Sequence, residues 1–156
     1  MDLDDLDIKT LSFLCQRGRM TWAELASQLG LSAPAAADRV KRLEERGIIT
    51  GYSAQLDAEA LGLNLTAFIA VTLDQPHHRK GFLAAVQATA EILECHHVTG
   101  DDDYLLKVRC CHTRALEALI THGLKAIAGV VKTRTLIVLS TVKETQVPSL
   151  DHLRDS

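Results

Sequence analysis

Residues Thr21 to Tyr52, TWAELASQLGLSAPAAADRVKRLEERGIITGY, constrain this chain more than any other stretch. Leu25, Leu29 and Leu31 fall around Gly30, and Ala36, Val40 and Leu43 follow it, at spacings that give each flank one apolar helical face. Two short helices joined by a glycine turn can bury such stripes only by closing on a shared core. Thr21 with Glu24 has the pattern of a capping box, Ser32 can cap the second helix, and Pro34 is tolerated inside its first turn. Ile48, Ile49, Gly51 and Tyr52 then form a β-prone segment with a glycine break. The order is helix, tight turn, helix and short hairpin, the outline of a winged helix-turn-helix.

The N-terminal segment supplies a third helix, with Leu3, Ile8, Leu11 and Leu14 at roughly three-residue spacing. Asp2, Asp4, Asp5 and Asp7 sit in or near its first turn, where the helix dipole favours negative charge, so these aspartates read as structural. The helix after Gly30 carries Arg39, Lys41, Arg42 and Arg46 outside its apolar stripe, where cations can meet phosphates while its first residues approach base edges. The predicted DNA-facing set is Trp22, Ser32, Ala33, Ala35, Arg39, Arg42 and Arg46. Read blandly, the same cations form a solvated helix face.

Net charge is −3 and gives no support to nucleic-acid binding, since residues 1–62 hold seven Lys/Arg against ten Asp/Glu and residues 63–156 hold ten of each. Any attraction to DNA must come from the local cluster Arg39–Arg46 and weaken as salt rises. With 47% apolar residues in 156, the chain can bury a core, and two small domains fit better than one. No apolar run approaches the roughly 18 residues of a membrane helix, and the acidic N-terminus does not resemble a signal peptide; a cytoplasmic protein without a membrane partner is expected.

After the wing, Asp57 to Gly62 reads as a short helical turn ending at a glycine hinge. The periodicity then changes. Leu65 to Leu73 alternates as a strand, His78–Glu91 is helical through Phe82, Val86 and Ala90, and Ile92–Thr99 is a second strand. A Gly100-Asp101-Asp102-Asp103 turn follows, then a strand from Tyr104 to Cys111, a helix from Thr113 to Gly123 or beyond, and a last strand over Val130–Leu139. The fold class predicted is α+β: the winged helix-turn-helix followed by a ferredoxin-like βαββαβ domain, with both helices on one face of an antiparallel sheet. The boundaries are 1–52, a linker at 53–63, the second domain at 64–142 and a tail at 143–156. The strands are apolar on both sides, Phe68 and Ala70 as well as Ile69 and Val71, so the uncovered sheet face is expected to pack on another subunit.

Cys15, Cys95, Cys110 and Cys111 form no C-x-x-C pair, and reduced thiols are expected. Cys95-His96-His97 and Cys110-Cys111-His112 contain zinc-type ligands, but consecutive strand side chains point to opposite faces, so no metal site and no cofactor are predicted.

The segments LDDLDIKTLSFL, GRMTWAELASQLGLS, RVKRLEERGIITGY, ECHHVTGDDDYLLKV and KTRTLIVL resemble, in order and spacing, those of the Lrp/AsnC family of transcription regulators along nearly the whole chain. The resemblance implies an N-terminal domain that binds double-stranded DNA and an αβ-sandwich that senses a small-molecule effector, an amino acid. It also implies homodimers that associate further, often to octamers of four dimers. In the family the effector lies between dimers near the turn joining the second and third sheet strands. That assigns Gly100, Asp101, Asp102, Asp103 and Tyr104 to the effector site, and backbone N–H groups beside carboxylates suit an α-amino acid. Thr133 and Thr135, two apart on the last strand, share a face and could add hydroxyl contacts. The same turn is also ordinary hairpin chemistry, and strand threonines are common.

Two departures from the family pattern stand out. Ala35-Ala36-Ala37-Asp38 replaces larger polar or basic residues on the reading helix, leaving few groups for bidentate base contacts, and Asp38 is expected to face away from DNA or to pair with Arg42. Asp102 stands where an apolar or aromatic residue is frequent, which implies either a cationic effector or loss of the usual ligand. The rival readings are an enzyme similar to siroheme decarboxylases, using His96, His97 and His112, and a metal- or thiol-responsive regulator. Neither nucleophile–base pair nor poised carboxylates support catalysis.

Overall fold

In the computed structural model the residues described are 3–145 and 147–153; Asp2 lies outside them. The chain divides into two compact units, 1–55 together with 143–156, and 56–142.

The first unit is built on three helices, α1 (Asp5–Gln16), α2 (Trp22–Leu29) and α3 (Ala33–Glu45). Each starts where a side chain satisfies the orphan N–H groups of a first turn. Asp4 and Asp7 make a reciprocal capping box on α1, Thr21 and Glu24 make another on α2, and the Ser32 hydroxyl accepts from the Ala35 N–H at 3.4 Å on α3. Gly30, at φ +67°, ends α2 in the left-handed conformation that reverses the chain. Leu25, Ala26, Leu29, Ala36 and Val40 form the shared core, joined by Leu6, Phe13, Leu14 and Ile49 from its edges.

The hairpin expected after α3 is irregular. Among the described residues 48–56 form no strand. The Ile48 and Ile49 N–H groups both close on the Leu43 carbonyl, Ile49 packs into the helical core, and the Tyr52 hydroxyl donates to Glu44 at 2.8 Å. With no alternating partner strand after Tyr52, the local caps of α3 take these groups instead of a ladder.

The second unit has the predicted βαββαβ order: β1 (Leu65–Leu73), α4 (Arg79–Ala88), β2 (Ile92–His97), β3 (Tyr104–Cys110), α5 (Thr113–Ala118) and β4 (Val130–Ile137). The sheet order is β2-β3-β1-β4 and every pairing is antiparallel, the ferredoxin-like arrangement. α4 is shorter than its periodicity suggests, because the chain turns extended at Thr89, whose hydroxyl donates to the Ala85 carbonyl. α5 instead runs on as a π-turn over Leu119–Gly123 and a 3₁₀ turn over Leu124–Ala126. Ala67, Ile69, Val71, Tyr104, Leu106 and Val108 are fully buried on one sheet face against Phe82, Val86, Leu116 and Leu124 of the helical layer. The opposite face presents Phe68 between Lys107 and Leu136, and Ala70 between Leu105 and Arg134. Among the described residues no helix is long and apolar enough to cross a membrane.

Candidate nucleic-acid interface and effector turn

α3 offers an exposed outer face. Ser32, Pro34, Ala35, Asp38, Lys41, Arg42, Glu45 and Arg46 are exposed, while Ala36, Val40 and Leu43 are buried and Ala33 is half-buried against the core. The expected Asp38–Arg42 pair forms at 3.5 Å, and Lys41 pairs with Glu45 at 3.7 Å. Such exposed pairs are weak and open readily when phosphates compete. Trp22 is the first residue of α2 and is half-exposed beside this surface's own helix pair.

Arg39, expected among the DNA contacts, lies off that exposed face. Its side chain is 12% exposed, and its guanidinium donates to Asp4 at 2.6 and 2.8 Å and to Asp7. The position lies between Ala36 and Val40 on the flank of the buried stripe, so the side chain runs toward the start of α1 rather than outward. Burial alone would lower the Arg39 pKa, and hydrogen bonds to Asp4 and Asp7 more than offset that; the same bond to Arg39 is the main cause of the lowered pKa of Asp4. Asp4 and Asp7 are structural as expected, with a role beyond the helix dipole that only their distant partner reveals.

The turn between β2 and β3 is held from within. The Asp103 N–H donates to the Val71 carbonyl, its carboxylate accepts from the Leu73 N–H at 2.7 Å, and its carbonyl accepts from Val98. Asp102 is buried, accepting from Arg134 at 2.8 Å and from the Thr72 hydroxyl at 3.1 Å, with Lys132 at 3.7 Å. Arg134 is the largest influence holding its carboxyl below the ordinary carboxylate range. Asp101 is exposed, and Gly100 takes φ +118°, a conformation that favours glycine. Tyr104 is buried between the rings of Phe82 and His97, and among the described residues its hydroxyl has no hydrogen-bond partner.

The predicted effector residues therefore divide. Thr133 lies in register with Val71 and Tyr104, and Thr135 with Ile69 and Leu106, on the helix-covered face. Thr135 also lines a groove with Thr113, Leu116, Glu117, Ile120, Thr121 and Ile137. Asp102 is tied instead to Thr72, Lys132 and Arg134, which have the opposite parity. Within one subunit the two threonines and Asp102 do not surround a common ligand position. Sequence reading missed Thr72, Lys132 and Arg134; the odd carboxylate in the turn and two cations alternating with Thr133 were the available signal. The histidines have other partners: His96 meets Glu94 at 3.1 Å, His97 packs on Tyr104, and the His112 Nδ1 accepts from the Ala115 N–H to cap α5.

Sequence comparison matches residues 3–50 to a winged helix-turn-helix DNA-binding domain and residues 66–148 to the Lrp/AsnC ligand binding domain. The chain belongs to the Lrp/AsnC family. This family member is 41% identical over 145 residues to the leucine-responsive regulatory protein of Haemophilus influenzae, covering 92% of this chain and 87% of that one. The transcriptional regulator of Neisseria meningitidis solved as an L-Met complex superposes with a TM-score of 0.94 at 35% identity, over 97% of this chain and 99% of the other. AsnC of E. coli superposes with a TM-score of 0.88 at 29% identity, over 94% and 99%. An Lrp/AsnC protein with this domain pair is a DNA-binding transcriptional regulator.

Proposed function

We propose that this regulator binds duplex DNA as a homodimer, placing the exposed tip of α3 from each subunit in successive major grooves, and that an amino acid at the β2–β3 turn adjusts its assembly. The observation that carries the first half is α3 itself: a capped helix, anchored along one side and solvent-exposed along the other, with Ser32, Pro34 and Ala35 leading. Arg42 and Arg46 are the phosphate contacts in this reading, with Trp22 at the start of α2 against the backbone. The role is binding, not catalysis, exercised in the cytoplasm.

The uncovered sheet face, with Phe68, Ala70, Leu105 and Leu136, is the surface for the partner subunit, and dimers associate into larger oligomers up to four dimers. At the turn, exposed Asp101 is the acceptor for an effector's ammonium, and neighbouring backbone N–H groups serve its carboxylate. Asp102 is already neutralised by Arg134, so it does not select a cationic side chain; a neutral amino acid fits better, and L-methionine, present in the Neisseria relative's complex, is the first candidate. An effector acts by binding one assembly state better than the other.

Gel retardation with the DNA upstream of the protein's own coding region, across a salt series, tests the DNA half. A retarded species that weakens steeply with salt is expected, and no retardation at low salt would overturn it. Thermal-shift measurement with the common amino acids tests the effector half, since a ligand of the folded state raises the midpoint.

A further inference from the structure

We propose that Arg39 is a positioning residue for DNA reading: it clamps α3 to the capped start of α1 through Asp4 and Asp7, and so sets the angle at which the tip of α3 meets the groove. The inference rests on α3 being the reading helix, as proposed above.

Arg39 lies within α3 itself, six residues beyond Ala33, yet its guanidinium ends on two residues of a different helix. Asp4 and Asp7 are themselves fixed. Each accepts a backbone N–H from the other in the α1 capping box, so neither carboxylate can follow a moving arginine without uncapping its own helix. Asp4 meets Arg39 with both oxygens, and Asp7 binds the same Nη1 from a side chain only 12% exposed. A planar guanidinium held by two carboxylates on a rigid cap transmits orientation, which an apolar contact between α1 and α3 would leave free to slide. The remaining cations on the helix lie on its exposed face, with Lys41 and Arg42 paired to Glu45 and Asp38 of their own helix, four residues away. Thus α3 separates two tasks: Arg42 is available to phosphates, and Arg39 holds the helix that carries it.

The two roles leave different marks on binding. A phosphate contact contributes to specific and non-specific DNA alike and to the salt dependence, with about one unit of slope lost on its removal. A positioning residue leaves the slope nearly unchanged and lowers the ratio of specific to non-specific affinity. Partial unfolding cannot imitate that pattern, because it scales both affinities equally.

The test uses the full-length chain and a duplex selected for tight binding from a random pool, with an unrelated duplex for comparison. Arg39→Gln, Arg39→Lys, the Asp4→Asn/Asp7→Asn pair and Arg42→Gln are titrated over a salt series below their melting midpoints. Arg39→Gln and the paired aspartate variant are each expected to lower the specificity ratio about tenfold, with unchanged slope and little further loss when combined. Arg39→Lys, able to reach one carboxylate at a time, should be intermediate, and remains the measurable variant if the glutamine form does not fold. Arg42→Gln should reduce the slope and leave the ratio. If Arg39→Gln lowers the slope by about one unit, or leaves the ratio intact while the wild type reads DNA, the positioning role is overturned and the reading helix stands. If the wild type selects no duplex, the reading helix falls, and this role with it.

Discussion

Arg134 donates to the buried carboxylate of Asp102 across 2.8 Å, and through that bond the turn between β2 and β3 is fastened to the edge strand β4. The Thr72 hydroxyl adds a bond from β1, so a single side chain ties the turn to two strands. The turn between β2 and β3 is thereby held by bonds within one subunit.

The titration of Asp102 makes this visible in acid. Its folded pKa lies below the ordinary 3.8, first because of Arg134 and then of Thr72 and the Lys132 charge. A carboxylate depressed on folding contributes stability that is complete above its unfolded pKa and is lost as pH falls through the folded value. Between those two values, below pH 3.8, the wild-type melting midpoint should fall more steeply than that of Asp102→Asn. Parallel acid limbs in differential scanning calorimetry would count against the bond.

The tip of α3 makes a chemical prediction about the DNA. Pro34 and Ala35 are exposed, and the Ser32 hydroxyl already caps the helix, so the tip lacks side chains for bidentate contact with a base. The apolar feature of the major groove is the thymine methyl group. Replacing contacted thymines by deoxyuridine should weaken a tight duplex about fourfold per methyl, from about 0.8 kcal/mol for each such group buried. Unchanged affinity in fluorescence anisotropy would mean that groove shape is read instead.

Gly129 adopts φ +88°, and a Cβ built there would lie 2.3 Å from the His78 ring. His78 is itself held by Asp74 at 2.7 Å, and the Asp74 N–H donates to the Gly129 carbonyl, so the ring has no easy retreat. Gly129→Ala should cost about 2 kcal/mol or more in urea unfolding, combining left-handed strain with the clash. A loss under about 0.5 kcal/mol would show that the ring moves freely.

The four cysteines should separate by reactivity. Cys15 and Cys111 are exposed, whereas burial raises the thiol pKa of Cys95 and of Cys110, the latter with help from nearby Glu91 and Cys111. Iodoacetamide at neutral pH should label Cys15 and Cys111 first, with the other two protected until denaturant is added. Early labelling of Cys110, read by peptide mass spectrometry, would contradict its placement in the core.

The helix starts were legible because their causes are local: Thr21 with Glu24, Ser32 before Pro34, and Gly30 at the turn act over three or four residues. The order of elements along the chain and the facing of their residues were legible too, since alternation along Leu65–Leu73 and Tyr104–Cys110 records which side chains meet the helices. The winged helix-turn-helix was legible as a domain, but the regular hairpin expected after α3 was not realised, because Ile48 and Ile49 spend their N–H groups on the Leu43 carbonyl rather than on a ladder. Thr133 and Thr135 were correctly placed on one face, but which turn residue shared that face could not be read from their spacing.

Periodicity, caps and family motifs alone determined two units, a helix-turn-helix and a βαββαβ sheet, because caps act over three or four residues and the alternation of a strand is written in its own side chains, even where its partner strand lies far along the chain. Tertiary structure decided what the charges do. Arg39 meets Asp4 and Asp7 from 35 and 32 residues away, and Arg134 meets Asp102 across 32. A charged side chain carries no mark of whether it will face solvent, phosphate or a distant partner; the packing of the backbone around it makes that choice.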